Sequence, residues 1–291
     1  MGLTSSLIGE TNYIGKNDEV IIQLVDVTKK FKKTTILKSI NLSISKGQSV
    51  ALIGNNGVGK STLLKIIARL SSVEGKVEYS DELLFHYVPE HFARCNLSVM
   101  QYLGLVGRID GMDEDERGER IGSFLKDFFM EQMAQTPLDY LSKGSLQKVA
   151  VIQALLSTPD VLLLDEPLSG QDANSQRVFV QKMKELLASG VTIVMSCHEP
   201  YLMNEISDTV IEIKDQKIEI VQYVKYETSK EYALVFVDEK GGLEVPKLDI
   251  PINKTDTKVK MYVDEVNADE MISLMMKSGW SLRSMSHEKN S

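Results

Sequence analysis

Residues able to do phosphate chemistry stand in clusters along the first two hundred positions. Gly54-Asn55-Asn56-Gly57-Val58-Gly59-Lys60-Ser61-Thr62 fits the pattern G-x-x-x-x-G-K-[ST]. Glycines let backbone N–H groups wrap phosphate oxygens with no Cβ in the way, and a helix opening near Lys60 turns the positive end of its dipole toward them. Lys60 neutralises terminal phosphate oxygens and Ser61 offers a hydroxyl to Mg²⁺. Asn55, Asn56, Val58 and Thr62 complete the expected nucleotide-binding loop. Such a loop needs a carboxylate for the metal and a group that positions water. Leu162-Leu163-Leu164-Asp165-Glu166 supplies both: Asp165 closes an apolar run within reach of the Mg²⁺ shell, and Glu166 follows to polarise the attacking water. Two acids after a buried strand can also simply cap a helix. Beside a complete phosphate loop, the metal-and-water reading takes precedence.

These groups need elements to hold them. Short β-rich runs begin at Val20 with VIIQLVDV, continue with ILKSINLSI, and reach the loop through QSVALIG, after which STLLKIIARL has helical spacing. VLLLDEP (Val161–Pro167) and VTIVMSC (Val191–Cys197) each follow a helical stretch, VAVIQALL and QRVFVQKMKELLAS. Uniformly apolar strands alternating with helices predict an α/β fold whose sheet is mostly parallel and covered on both faces. From about 93 to 150 the pattern turns mostly helical, and the acidic run Asp110–Glu119 reads as a solvated helix start or loop. Residues 1–19 are polar and aperiodic, a flexible or loosely packed leader. A composition break near Tyr223 separates a 20–223 domain from a C-terminal α/β appendage, 224–291. There YALVFVDEKGGLEV predicts a hairpin turning at Gly241 and Gly242, and KVKMYVDEV, ADEMISLMMKSG and WSLRSMS read as strand, helix, strand.

Bulk properties narrow the partners. With 33 basic against 41 acidic residues and a net charge of −8, no broad basic face for nucleic acid is expected. Cys95 and Cys197 lack metal-type spacing and suit a reducing cytosol. No run approaches the ~18–20 apolar residues that cross a bilayer, so any membrane role is expected to come through a partner.

Together these segments resemble the nucleotide-binding subunits of ABC transporters, over Val20 to Tyr223. Leu141-Ser142-Lys143-Gly144-Ser145-Leu146-Gln147-Lys148 resembles the family's LSGGQ signature, standing just before a helix where N–H groups can bind an anion. Ser142 and Gly144 match; Lys143 and Ser145 depart, in a form similar to LSKG versions found in drug and peptide export subunits. Ser169-Gly170-Gln171-Asp172 resembles the D-loop, and His198 the switch histidine that contacts the γ-phosphate. Phe31 lies where the family stacks an aromatic ring on adenine, a reading that takes precedence over a simple core position. In Tyr87-Val88-Pro89-Glu90-His91, Glu90 replaces the usual glutamine that senses Mg²⁺ and water and contacts the permease; ionised, it cannot donate an N–H. Similar VPE segments occur in the ABC-2-like export branch.

The resemblance implies a P-loop NTPase (RecA-like) core with an inserted helical subdomain. It implies ATP and Mg²⁺ as cofactors, with Ser61, Asp165 and Glu90 toward the metal and Lys60, Glu166 and His198 in catalysis. It further implies a second ATP-binding subunit, like or unlike, whose Ser142, Lys143 and Gly144 close on this subunit's ATP while Asp172 couples the two sites. A separate transmembrane permease would hold the pair at the cytoplasmic face of the cell membrane, driven toward export. Two other readings stay open. One is a cytosolic ABC ATPase acting on soluble partners; the other is a non-hydrolysing regulatory subunit.

Overall fold

The computed structural model describes residues 19–221, 231–238, 241–246, 248, 252–255 and 257–287; the expected leader lies outside them apart from Glu19. The chain divides into two compact units, Met1–Tyr223 and Val224–Ser291. The first contains, in order, β1 (Val20–Phe31), β2 (Thr34–Ser45), β3 (Ser49–Ile53), α1 (Lys60–Ile67), β4 (Glu74–Tyr79), β5 (Phe85–Val88), α2 (Val99–Ile109), α3 (Glu114–Asp127) and α4 (Lys143–Leu155). It continues with β6 (Val161–Asp165), α5 (Ala173–Ala188), β7 (Thr192–Ser196), α6 (Pro200–Ile206), β8 (Thr209–Lys214) and β9 (Lys217–Val221).

The main sheet runs β5-β6-β7-β3-β8-β9, parallel from β5 to β8 and antiparallel only at the β9 edge. Every residue of β6 and β7 is buried, as the unbroken apolar runs require of strands covered on both faces. Successive side chains point to opposite faces. Thus Val50, Leu52, Leu163, Val194 and Ile211 pack with Leu63, Leu64 and Ile67 of α1 and with a separate antiparallel sheet, β2-β1-β4. Ala51, Leu162, Leu164, Ile193 and Met195 pack instead with α2 to α6, through Leu103, Leu125, Val149, Phe179 and Leu202. Two hydrophobic layers therefore grip one sheet. The strands cannot slide without turning a whole apolar set to the wrong side.

Local departures from the pattern have causes. The helix after the glycine loop ends at Ile67 and not Leu70, because Arg69 takes φ 61° and Leu70 turns to solvent. The Arg69 guanidinium lies 3.9 Å from the centroid of the Tyr79 ring, a stacking contact that helps hold the turn. The acidic run becomes the start of α3, where Asp113 caps the Glu116 N–H and Glu114, Asp115 and Glu116 sit at the positive dipole end.

The second unit contains β10 (Glu231–Val237), β11 (Ile252–Lys254), β12 (Lys258–Asp264), α7 (Glu265–Lys277) and β13 (Ser281–His287), in the antiparallel order β11-β12-β10-β13. The expected strand, helix, strand succession is β12, α7, β13. The expected hairpin at Gly241–Gly242 does not form. β10 pairs with β12 and β13 instead, and residues 243–246 lie outside any strand. Leu243 and Val245 are needed as cover for the unit's core, and Trp280 Nε1 donates to Glu244 O at 3.2 Å to fix them there.

Because Leu163 is fully buried in the middle of the main sheet, Leu163→Ala should cost about 2–5 kcal/mol. A lower urea midpoint with an unchanged m-value is the expected result.

Candidate nucleotide-binding site

The carboxyl ends of β3, β6 and β7 lie side by side: Leu52 pairs with Ser196, and Ser196 with Asp165. Parallel α/β sheets bind ligands beyond this edge. β3 leaves it through the glycine loop into α1. Two of the glycines serve the protein's own packing: a Cβ on Gly54 (φ 140°) would stand 2.6 Å from Ile213 O, and one on Gly59 (φ 119°) 3.0 Å from Ile36. Gly57 (φ 80°) has nothing within 4 Å of its Cβ position, so that side of the loop is open to a ligand. The first turn of α1 has no side-chain cap and no acid, whereas α2, α3, α4 and α5 are capped by Ser98, Asp113, Ser142 and Asp172. Uncapped amides at a helix start fit a phosphate.

Lys60 is buried, and its ammonium donates to Gly54 O at 2.8 Å and to Asn55 O at 3.4 Å. His198 Nε2 lies 3.1 Å from Lys60 Nζ and 3.3 Å from Glu166 Oε1. Asp165, 3% exposed, accepts from Ser61 Oγ at 3.0 Å, from Ser196 Oγ at 2.7 Å and from the Tyr87 hydroxyl at 3.1 Å. Burial first, then the Asp165 carboxylate, raises the Tyr87 pKa and keeps the phenol a donor. Glu166 is held at φ 49°, a left-handed conformation that costs a non-glycine residue roughly 1–3 kcal/mol. Its N–H donates to Ser196 Oγ and Ser196 O, at 3.1 and 3.2 Å, and this sets the turn that aims the carboxylate at His198. Beside them the Cys197 thiol is pushed up to about 12, chiefly by burial and then by Glu199, with Lys60 opposing and Glu166 adding, so it behaves as a core side chain.

The structure therefore brings together Lys60, Ser61, Asp165, Glu166 and His198. The segment Ser142–Gly144 is held elsewhere. Ser142 Oγ accepts from the Ser145 N–H at 3.1 Å, and Lys143 Nζ donates to Ser169 Oγ at 3.0 Å. Gly144 comes so near the 169–172 turn that a Cβ there would lie 2.2 Å from Gly170 O. Asp172 caps α5 through the Ser175 N–H and accepts from Lys148 Nζ at 2.9 Å. Phe31 is 53% exposed at the end of β1, on the hairpin whose β2 strand passes over Gly59; it is not core. The Glu90 carboxylate faces His91 at 3.5 Å, and its charge adds to the upward push on the Tyr87 phenol beside Asp165. Sequence reasoning missed Tyr87, Ser196 and Lys148. A polar residue at the end of an all-apolar strand, as Ser196 is, was the available signal.

The residues fit ATP with Mg²⁺: an open glycine loop with free helix amides, a buried lysine, and a hydroxyl–carboxylate pair of the hard-oxygen type Mg²⁺ prefers. Comparison with known proteins agrees. The family model for ABC transporters matches residues 37–169. The zinc import ATP-binding protein ZnuC of Halorhodospira halophila is 30% identical over 206 residues, 69% of this chain and 76% of that protein. The macrolide export ATP-binding/permease protein MacB of Psychrobacter cryohalolentis is 32% identical over 219 residues, 68% of this chain; the chain spans only 33% of MacB's length. The dimeric post-hydrolysis structure of the ATP-binding cassette MJ0796, bound to ADP and Pi, superposes with a TM-score of 0.63 at 27% identity, covering 70% of this chain and 100% of that one. The chain belongs to the ATP-binding proteins of the ABC transporter family, and its fold is that of their P-loop ATPases.

Partial burial opposes ionisation of Asp172, but the Lys148 hydrogen bond, the two bonds from Ser175 and the Lys148 charge together hold its carboxyl well below the usual range. A depressed carboxyl stabilises the fold above its unfolded value, about pH 4, and the contribution is lost as pH falls further. The difference in urea midpoint between Lys148→Met and the unaltered chain should accordingly shrink from pH 7 toward pH 2. In the variant, the Asp172 carboxyl ¹³C titration should move up toward the ordinary range.

Proposed function

We propose that the chain hydrolyses ATP as one half of a closing pair of ATP-binding subunits and thereby drives a separate transmembrane permease. The single observation that supports this best is the Lys60–His198–Glu166 contact set beside the Ser61–Asp165 pair, on one sheet edge under an open glycine loop. Phosphates seated in the loop would take the Lys60 ammonium, which is now shared among Gly54 O, Asn55 O and His198. Freed imidazole then faces the γ-phosphate, and Glu166, already aimed at that imidazole, orients the attacking water and accepts its proton. Ser61 and Asp165 would hold Mg²⁺, whose charge offsets that building on the phosphate oxygens. Phe31, exposed on its hairpin, offers its ring to adenine.

Ser142 and the start of α4 supply the other jaw. Within this chain Lys143, Gly144 and Lys148 tie that helix start to the 169–172 turn, which supports a geometry where it meets ATP held by a second copy or a similar subunit. The dimeric ADP-and-Pi-bound MJ0796 structure lends support. ATP makes contacts to both halves only when they close, so its binding shifts the population to the closed pair and hydrolysis releases it. Among the described residues no helix is long and apolar enough to cross a membrane, which supports attachment at the cytoplasmic face through the permease. We take the direction as export, on the Lys143 and Glu90 departures and the presence of the second unit. The exporter MacB and the importer ZnuC match with similar identity, 32% and 30%, so direction rests on those features and not on the relatives.

Glu166→Gln should still bind ATP, release phosphate about 10²–10⁴-fold more slowly, and accumulate as a dimer on gel filtration with ATP. Unchanged turnover would take Glu166 out of the water-activating role. Affinity purification from detergent-solubilised membranes should carry along a polytopic membrane protein; a soluble partner in its place would favour the cytosolic reading.

A further inference from the structure

We infer that Tyr87 is a positioning residue for the metal side of the site, fixing Asp165 through its phenol hydroxyl and so linking the junction loop to that carboxylate. The inference rests on the reading of Asp165 as a Mg²⁺-holding carboxylate. Both oxygens of that carboxylate are claimed from different elements. Oδ1 receives Ser61 of α1 and Ser196 of β7, and Oδ2 receives Tyr87 of β5. With only Oδ1 held, the group could rotate about its Cβ–Cγ bond; with Oδ2 held as well, its plane is fixed. A carboxylate has room for about four hydrogen bonds or ligands, so lone pairs remain for a cation or its water after these three donors are seated. Ser61 can give its proton to Oδ1 while turning a lone pair outward, which leaves Ser196 on Oδ1 and Tyr87 on Oδ2 as donors that add nothing to the ligand set and only orient it.

The position of Tyr87 gives the contact a wider consequence. It sits in register with Leu163 on β5, whose last residue, Val88, leads directly into Pro89-Glu90-His91. Glu90 is paired with His91, and its side chain is 36% exposed. Pro89 O accepts from Gln147 Nε2 at 3.2 Å, so the same loop is fastened to α4, the helix that begins at the Ser142 cap. The Tyr87 hydroxyl, one residue before the end of β5, therefore links the Asp165 carboxylate to the strand that leads into the junction loop.

Tyr87→Phe removes that hydroxyl and keeps the ring. On the full chain, Mn²⁺ can be titrated by electron paramagnetic resonance in the presence of a non-hydrolysable ATP analogue. In parallel, a fluorescent ATP is titrated in EDTA to read metal-free nucleotide affinity. The expected result is a Mn²⁺ dissociation constant raised about ten-fold or more, with the EDTA affinity unchanged. An unchanged Mn²⁺ affinity would overturn the inference, and so would an equal loss in EDTA, which would make the hydroxyl a support for the whole pocket. A thermal melt establishes folding of the variant, and Tyr87→Met, carried through the same two titrations, replaces it if the melt is lost. Failure of the unaltered chain to bind Mn²⁺ with the analogue would instead overturn the reading of Asp165 itself, and this inference with it.

Discussion

An ionisable carboxylate with 3% exposure at the end of a strand of valine and leucine is costly to bury, and the geometry around it is arranged to satisfy it. Asp165 is met by hydroxyls from α1, β5 and β7, each delivered by a separate segment of chain. Those hydroxyls are in place only when β5, β6 and β7 pair in the observed register and α1 follows its loop closely. The two apolar layers hold the sheet; the carboxylate dictates what its carboxyl edge must carry. Ser196 does the most for its size. Its side chain serves Asp165 and, with its own carbonyl, pins the strained backbone of Glu166.

The sheet was legible because it depends on runs: VALI, VLLLD and TIVMS have no polar face, and only a doubly covered parallel sheet accepts such strands. The phosphate loop was legible because its glycines answer to local backbone geometry, which the sequence states directly. The acids after β6 and the histidine after β7 followed from strand ends. Contacts between segments far apart in sequence were not legible. Tyr87 and Asp165 are separated by 78 positions, and nothing in either neighbourhood announces the other. The Gly241–Gly242 turn misled for a related reason. Turn chemistry was right locally, with both glycines at positive φ, but the strand partner was decided by which residues had to cover Trp280. Phe31 could be core or exposed on sequence alone, since β1 runs on past Val27 and carries it out of the layer.

The start of α4 shows how a departure from a family pattern can be absorbed without loss of shape. The glycine the backbone needs is Gly144, because it touches Gly170 O, and that glycine is retained. Position 143 is exposed, so a lysine there costs nothing sterically, and its ammonium gains Ser169. Ser145 adds a hydroxyl 2.9 Å from that of Ser142. Together with Lys148 on Asp172, these contacts tie the two turns to each other, as a segment needs if it is to report on a phosphate it does not itself cradle.

His198 stands between opposite charges with one ring nitrogen, and that nitrogen cannot serve both at once. Neutral at Nε2, it accepts from Lys60; protonated there, it donates to Glu166 and is repelled by the ammonium. In the conformation seen, Lys60 is also satisfied by two carbonyls of its own loop, at 2.8 and 3.4 Å, so it does not depend on the imidazole alone. A phosphate oxygen offers Lys60 an opposite charge where imidazole offers only a lone pair, and attraction between opposite charges is added to the hydrogen bond. Exchange of one for the other therefore runs downhill as soon as the loop is filled. On the proposed reading, the same event that seats the substrate releases the histidine toward it, before the second subunit closes on the nucleotide.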